Sequence, residues 1–146
     1  NVIGIFIRKT LNGIPILVYG DGEQTRAFSD IQYYMEPFDL LHDNFDGEIF
    51  NIGADKFFTL NKVAETVQSI GKKYGYDVPI EHAEGRHEVK HAYCNHDKAK
   101  TMLGFRDNTK LEELIEDMFV WAMNQPNRKV KDFEYEITDG IYDYWK

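Results

Sequence analysis

Val18-Tyr19-Gly20-Asp21-Gly22-Glu23-Gln24-Thr25-Arg26-Ala27-Phe28 is the stretch on which the reading of this chain turns. It opens on the end of an apolar run, Ile14 to Tyr19, that reads as a short strand. Gly20-Asp21-Gly22 then supplies a tight turn, because glycine takes positive φ at little cost. Upstream, Val2, Ile3, Ile5, Phe6, Ile7 and Leu11 suit a helix with a wide buried face, closed by Asn12 and Gly13. Downstream, Ile31, Tyr34, Met35, Phe38 and Leu41 recur at helical spacing between Asp30 and Asn44, with Pro37 expected to kink or split that helix.

Further along, Glu48 to Gly53 reads as a compact strand bounded by glycines. Thr59 is placed to cap a helix whose face is Leu60, Val63, Ala64, Val67 and Ile70, the cleanest amphipathic stripe in the chain. A strand is expected from Pro79 to His82, then an irregular polar segment from Ala83 to His91, then a short helix from Asn95 to Leu103 stopped at Gly104. Thr109 and Glu112 have the spacing of a capping box, starting a helix with Leu111, Leu114, Ile115, Met118 and Ala122 inward and Pro126 at its end. These elements make an α/β segment, helices packed on short strands, over residues 1–126, with an aromatic, acidic tail over 127–146. Sheet strands without their neighbours expose ladder groups, so the chain is expected to pair with itself, as a homodimer or another self-association.

With 146 residues, 42% of them hydrophobic and 14% aromatic, the chain can bury one modest core. A formal charge of -8, from 25 acidic and 17 basic residues without a long basic run, argues against a nucleic-acid or anionic-membrane surface. A small molecule is the expected partner, and a phosphorylated one would need a local positive site against that field. The few arginines, Arg8, Arg26, Arg86, Arg106 and Arg128, therefore carry information. The single cysteine, Cys94, forms no internal disulfide, which suits a reducing, cytoplasmic setting. No apolar run approaches the roughly 20 residues that span a bilayer. The abrupt start on a helix without an initiator Met reads as a chain cut from something longer.

Five stretches in order resemble the extended short-chain dehydrogenase/reductase enzymes that act on nucleotide sugars, the NAD-dependent epimerase/dehydratase family that includes UDP-glucose 4-epimerase. They are Asn1-Val2-Ile3, Val18 to Phe28, Phe50-Asn51-Ile52-Gly53, Arg86 to Tyr93, and Asp97-Lys98-Ala99-Lys100 with Leu103-Gly104-Phe105. The likeness covers about residues 1 to 122. It implies the C-terminal, substrate-binding portion of such an enzyme, lacking the main parallel sheet, with NAD as cofactor held mostly by a half not in this chain. The strand at Phe50 to Ile52 would join the edge of that sheet. The whole enzyme would invert or dehydrate a hexose carbon through a transient keto intermediate, NAD taking and returning a hydride.

The resemblance implies roles residue by residue. Arg26 and Arg86 would converge on the diphosphate, where a planar guanidinium gives bidentate, charge-assisted bonds. Composition alone would leave both as surface arginines; motif order singles out Arg26. Tyr19 would lie at the base, against a plain alternative as a core strand aromatic. Asn1 and Val2 match the place where backbone amides touch substrate, and Tyr93 lines the sugar pocket, where its ring would crowd out an N-acetyl group. Three departures bear on substrate identity. Ala27 replaces the acid that usually follows the arginine, Gln32 and Tyr33 fill acidic positions, and Val89 stands where an acid commonly holds a ribose hydroxyl, with Glu88 one step early.

Two further motifs need weighing. Tyr142 and Lys146 spell the family's Tyr-x-x-x-Lys catalytic pair, but they follow all the substrate motifs, so no catalytic residue is assigned. His87-Glu88-Val89-Lys90-His91 spells the His-Glu-x-x-His of zinc peptidases, which needs a helix to set both imidazoles on one face. Gly85 and the strand expected from Pro79 to His82 precede it, and no third histidine follows at the required spacing. A zinc metallopeptidase and a non-catalytic nucleotide-sugar-binding module stand as the alternatives.

Overall fold

The computed structural model describes residues 1–42, 45–126 and 139. In chain order its elements are α1 (Val2–Leu11), β1 (Ile16–Tyr19), β2 (Thr25–Ala27), a 3-10 turn (Ile31–Tyr34), α2 (Met35–His42), β3 (Phe57–Thr59), α3 (Leu60–Lys73), β4 (Ile80–Ala83), β5 (His91–Ala92), α4 (Asp97–Met102) and α5 (Leu111–Met123). The strands form two small sheets. β1 and β4 run parallel, with Ile16 opposite Ile80 and Tyr19 opposite Ala83. β2 lies between β3, antiparallel, and β5, parallel.

The helices form where the apolar spacing placed them. Asn1 caps α1, its Oδ1 accepting from the Ile3 amide at 3.0 Å, and Gly13 at φ 68° ends it. Thr59 Oγ1 accepts from the Lys62 amide at 3.1 Å and starts α3. Ile3, Phe6 and Ile7 of α1, Val63, Ala64 and Val67 of α3, and Leu111, Ile115 and Phe119 of α5 enclose Ile16 and Val18 of β1 in one core. A second, smaller cluster of Ala99, Leu103 and Phe105 packs against Tyr33, Leu41, Phe45, Phe50 and Ile52.

Several expectations need correction. Glu48 to Gly53 is not a strand. Strand geometry persists only with a hydrogen-bonded neighbour, and neither sheet runs beside this segment. Phe50 and Ile52 instead pack into the smaller cluster while Ile49 is left exposed. The helix expected from Asp30 divides after Tyr34, ahead of Pro37, which sits in the first turn of α2, where its missing N–H is no loss. Thr109 does not cap α5. Its hydroxyl donates to Asp107 Oδ1 at 2.6 Å and accepts from the Asp30 amide at 2.9 Å, leaving Lys110 at the cap position with no side-chain bond to the backbone amides of the first turn. On α5 the fully buried line is Leu111, Ile115 and Phe119, while Leu114, Met118 and Ala122 are only partly covered. Phe119 stacks on Tyr74 and meets Tyr76 edge-on, each ring centroid 5.9 Å away.

The aromatic tail and the Tyr142/Lys146 pair lie outside the described residues. Among the described residues no helix is long and apolar enough to cross a membrane.

Candidate functional site

The Gly20-Asp21-Gly22 turn joins the end of β1 to β2 and is bolted to the start of α3. The Asn61 amide nitrogen donates to Gly22 O at 3.1 Å, and its side-chain Nδ2 donates to Asp21 O at 2.9 Å and Glu23 Oε1 at 2.8 Å. Gly22 has φ 74°, and a Cβ there would fall 1.9 Å from Asn61 Oδ1, so only glycine fits. On the other side the turn meets the loop after β4, where Gly20 and Gly85 approach closely enough that a Cβ on either would lie 3.6 Å from the other's Cα. The ends of the two parallel strands and the start of the three-stranded sheet therefore share one corner.

Four of the residues singled out in the sequence meet at that corner. The Arg86 guanidinium lies 3.3 Å from the centre of the Tyr19 ring, a face-on cation–π contact. Arg26 Nη2 donates to Glu88 Oε2 at 2.9 Å, while its Nη1 donates to the carbonyls of Thr25 at 2.8 Å and Lys90 at 3.4 Å. Gln24, 7% exposed, donates from Nε2 to both Tyr19 O at 2.9 Å and Glu88 Oε1 at 3.0 Å. Gln24 was not singled out in the sequence, and nothing but its place in the Val18 to Phe28 stretch would have marked it. The pairing of β2 with β5 brings the loop against Arg26, through Thr25 N to Lys90 O at 2.8 Å and Thr25 Oγ1 with His91 Nδ1 at 2.8 Å.

The other three predicted residues sit elsewhere. Asn1 and Val2 belong to the start of α1, Asn1 as its cap and Val2 packed against the main core. Tyr93 is 74% exposed and stacks on Phe57 at 6.3 Å between ring centroids. Phe57 pairs with Ala27, so the strand pleat turns it away from the face that carries Arg26.

The His87 to His91 segment is not helical: it bends at His87 and Lys90 and enters β5 at His91. Its glutamate is engaged by Arg26 and Gln24, and His91 by Thr25. Among the described residues no group of three or more His, Cys, Asp and Glu side chains is arranged to hold a metal ion.

A second polar cluster escaped the sequence reading. His96, 8% exposed, places Nε2 2.7 Å from Asp55 Oδ1, and Lys100 pairs with the same oxygen. The hydrogen bond from Lys100 outweighs the opposing effect of burial and, with lesser help from the His96 bond and the Lys100 charge, holds the Asp55 carboxyl below the usual range. Lys98 Nζ reaches Glu48 Oε2 at 2.5 Å and Ile49 O at 2.9 Å. The Asp97-Lys98-Ala99-Lys100 motif flagged the place, but only the fold shows what these cations hold.

No family model matches the chain. UDP-N-acetyl-alpha-D-glucosaminuronate decarboxylase of Bacillus cytotoxicus is 30% identical over 125 residues, which cover 82% of this chain and 39% of that protein. GDP-mannose 3,5-epimerase of Arabidopsis thaliana is 32% identical over 108 residues, 74% of this chain and 28% of that protein. Among solved structures, UDP-glucose 4-epimerase of Thermotoga maritima with UDP-glucose aligns at a TM-score of 0.72 and 26% identity, covering 86% of this chain and 40% of that one. dTDP-glucose 4,6-dehydratase of Bacillus anthracis in complex with NAD shares the fold, with a TM-score of 0.70 at 22% identity over 84% of this chain and 39% of that one. The chain thus spans between 28% and 40% of the length of these proteins. In sequence and in fold, it corresponds to the C-terminal portion of the nucleotide-sugar epimerases and dehydratases of the extended short-chain dehydrogenase/reductase family.

Proposed function

We propose that this chain grips the nucleotide diphosphate of a nucleotide sugar, as the substrate-binding part of an NAD-dependent epimerase or dehydratase, with UDP-hexose 4-epimerisation as the leading activity. The observation that carries the reading is the convergence of Tyr19, Arg26 and Arg86 at one corner, an aromatic face beside two guanidinium groups. An aromatic face suits a base, and guanidinium forks suit phosphate oxygens. In this reading Asn1 and Val2 touch the substrate through their backbone, Glu88 lies beside the nucleotide, and Tyr93 borders the sugar. The setting is cytoplasmic, in keeping with a single cysteine.

The glycine turn of this corner does not fit a dinucleotide. The Gly20–Gly22 turn leads into β2 and not into a helix, so no helix N-terminus is aimed at a pyrophosphate there. The share of the work given to these residues is binding and orienting the substrate, and the chain by itself is expected to turn over no sugar.

Calorimetric titration with UDP- and GDP-sugars tests the reading, both bases being represented among the relatives. Binding that Arg26→Ala abolishes is the expected result. Binding indifferent to that substitution would remove Arg26 from the site and the reading with it.

A further inference from the structure

We infer that Glu88 is a built-in competitor for the phosphate at Arg26, and so limits how tightly this site holds a nucleotide diphosphate. The inference rests on the reading of Arg26 as the phosphate ligand and adds a residue that works against it.

Glu88 is held at both carboxylate oxygens. Oε2 accepts from Arg26 Nη2 at 2.9 Å and Oε1 accepts from Gln24 Nε2 at 3.0 Å. Gln24 is itself fixed, since its side chain is buried and the same nitrogen donates to Tyr19 O. A carboxylate positioned by a buried amide is an oriented group, unlike a pair of long side chains that meet at the surface. Arg26 is oriented too, because Nη1 is committed to the backbone carbonyls of Thr25 and Lys90. Nη2 is therefore the end of the fork that an arriving phosphate would approach, and Glu88 holds one of its two N–H groups and sets a carboxylate charge beside the other.

A phosphate oxygen and a carboxylate oxygen present the same chemistry to a guanidinium, and both are negative. They compete for Nη2 and repel each other if both remain. The Arg26 and Glu88 side chains are 24% and 36% exposed, an environment in which an ion pair is neither fully screened nor locked by burial. Such a pair can be displaced at a moderate cost that the ligand has to meet. The same loop carries Arg86 onto the Tyr19 ring, so both the base face and the phosphate donor are in contact with one segment of chain. Gly85, at the root of that loop, packs on Gly20 without a side chain.

The test is titration of the chain with UDP by calorimetry, in the unsubstituted form and as Glu88→Gln, Glu84→Gln and Arg26→Ala, with a thermal melt of each to confirm folding. Glu88→Gln keeps size and an acceptor while removing the charge. It is expected to bind UDP about three- to fivefold more tightly, the upper part of the range for an ion pair no longer opposing the ligand. Glu84→Gln makes the same change in net charge on the same loop without an ion pair to Arg26, and is expected to stay within about twofold. Arg26→Ala is expected to abolish binding. If Arg26→Ala weakens binding but Glu88→Gln leaves it unchanged or weaker, the site stands and the competitor role falls. An equal gain from Glu84→Gln would show a general charge effect and also overturn it. If Arg26→Ala has no effect, or if neither the unsubstituted chain nor Glu88→Gln binds, the reading of the site itself falls.

Discussion

Substituting Gly22 by alanine separates two contributions that the turn combines. The first is conformational, since φ is 74° and a non-glycine residue in the left-handed region costs about 1 to 2 kcal/mol. The second is steric. The new methyl would fall 1.9 Å from Asn61 Oδ1, so Asn61 must rotate away and give up its bonds to Asp21 O and Glu23 Oε1. Those bonds are exposed, and at the lower end of the range for a hydrogen bond the pair contributes about 1 to 2 kcal/mol. Gly22→Ala should therefore destabilise by about 2 to 4 kcal/mol. Gly13→Ala is the internal reference. Its φ of 68° is similar but nothing lies within 4 Å of the added Cβ, so only the conformational cost of about 1 to 2 kcal/mol applies. A double-mutant cycle with Asn61→Ala isolates the steric part. Once Asn61 is gone the methyl has nothing to displace, and the coupling should equal the roughly 1 to 2 kcal/mol of the lost bonds. Urea unfolding followed by far-ultraviolet circular dichroism measures all four. Equal costs for Gly22→Ala and Gly13→Ala, or additivity of Gly22→Ala with Asn61→Ala, would refute the claim that Asn61 clamps this turn.

Acid should weaken the fold through Asp55. Its carboxyl is held below the usual range by Lys100 and His96, so in the folded state it keeps its charge to lower pH than in the unfolded chain. The stability this gives is fully present above the unfolded pKa and is lost as pH falls through the folded one. Asp55→Asn should be less stable than the unsubstituted chain near neutral pH, with the gap narrowing under acid; a gap that stays constant with pH would show that the charge is not involved. Self-association is the second expectation. β1 and β4 form a two-stranded parallel pair, an arrangement that in larger sheets is covered on both faces, and Ile31 and Trp121 are exposed on the groove between α1 and α5. Sedimentation at micromolar concentrations should show a dimer or larger species, and a compact monomer throughout would contradict this.

The elements that were legible in the sequence are those whose signal is local. The period of Leu60, Val63, Ala64, Val67 and Ile70, with Thr59 ahead of it, is sufficient for a helix because cap, stripe and end all lie within the segment. The three-stranded sheet is different. β2, β3 and β5 are two or three residues each, and what makes them strands is that Thr25 meets both Thr59 and His91, partners remote in the chain. Glu48 to Gly53 failed in the opposite direction, with strand composition but no neighbour. Thr109 has the spacing of a cap, but Asp107, two residues before it, takes its hydroxyl away from the helix. At the candidate site, the family resemblance implies roles for Tyr19, Arg26, Arg86 and Glu88, and the fold brings these four together. That Glu88 bonds Arg26, and that Arg86 covers Tyr19, depends on β1 pairing with β4 and β2 with β5, which no local pattern encodes.

The segment from Glu48 to Asp55 shows how side chains hold a chain that has no ladder. Lys98 fixes its beginning through Glu48 and Ile49 O, Tyr34 reaches Ile52 O at 3.4 Å, and Lys100 with His96 fixes its end through Asp55. The Asp55 amide is in turn bonded to Asp107 Oδ2 at 3.0 Å, and Asp107 also holds Thr109. Most of these anchors lie on α4 or just beside it, and α4 begins five residues after β5 ends. β5 is the strand whose pairing with β2 sets the Glu88 loop against Arg26. The ionic cluster around Asp55 and the Arg26 corner are therefore joined through one short stretch, Ala92 to Asp97. A perturbation that loosens α4 acts on the register of β5 before it acts on the main core, because α1 and α3 pack on β1, and α5 on α1 and α3, without α4. Binding at Arg26 should consequently be more sensitive to damage around Asp55 than global stability is, which follows from the two clusters being separate and the site leaning on the smaller one.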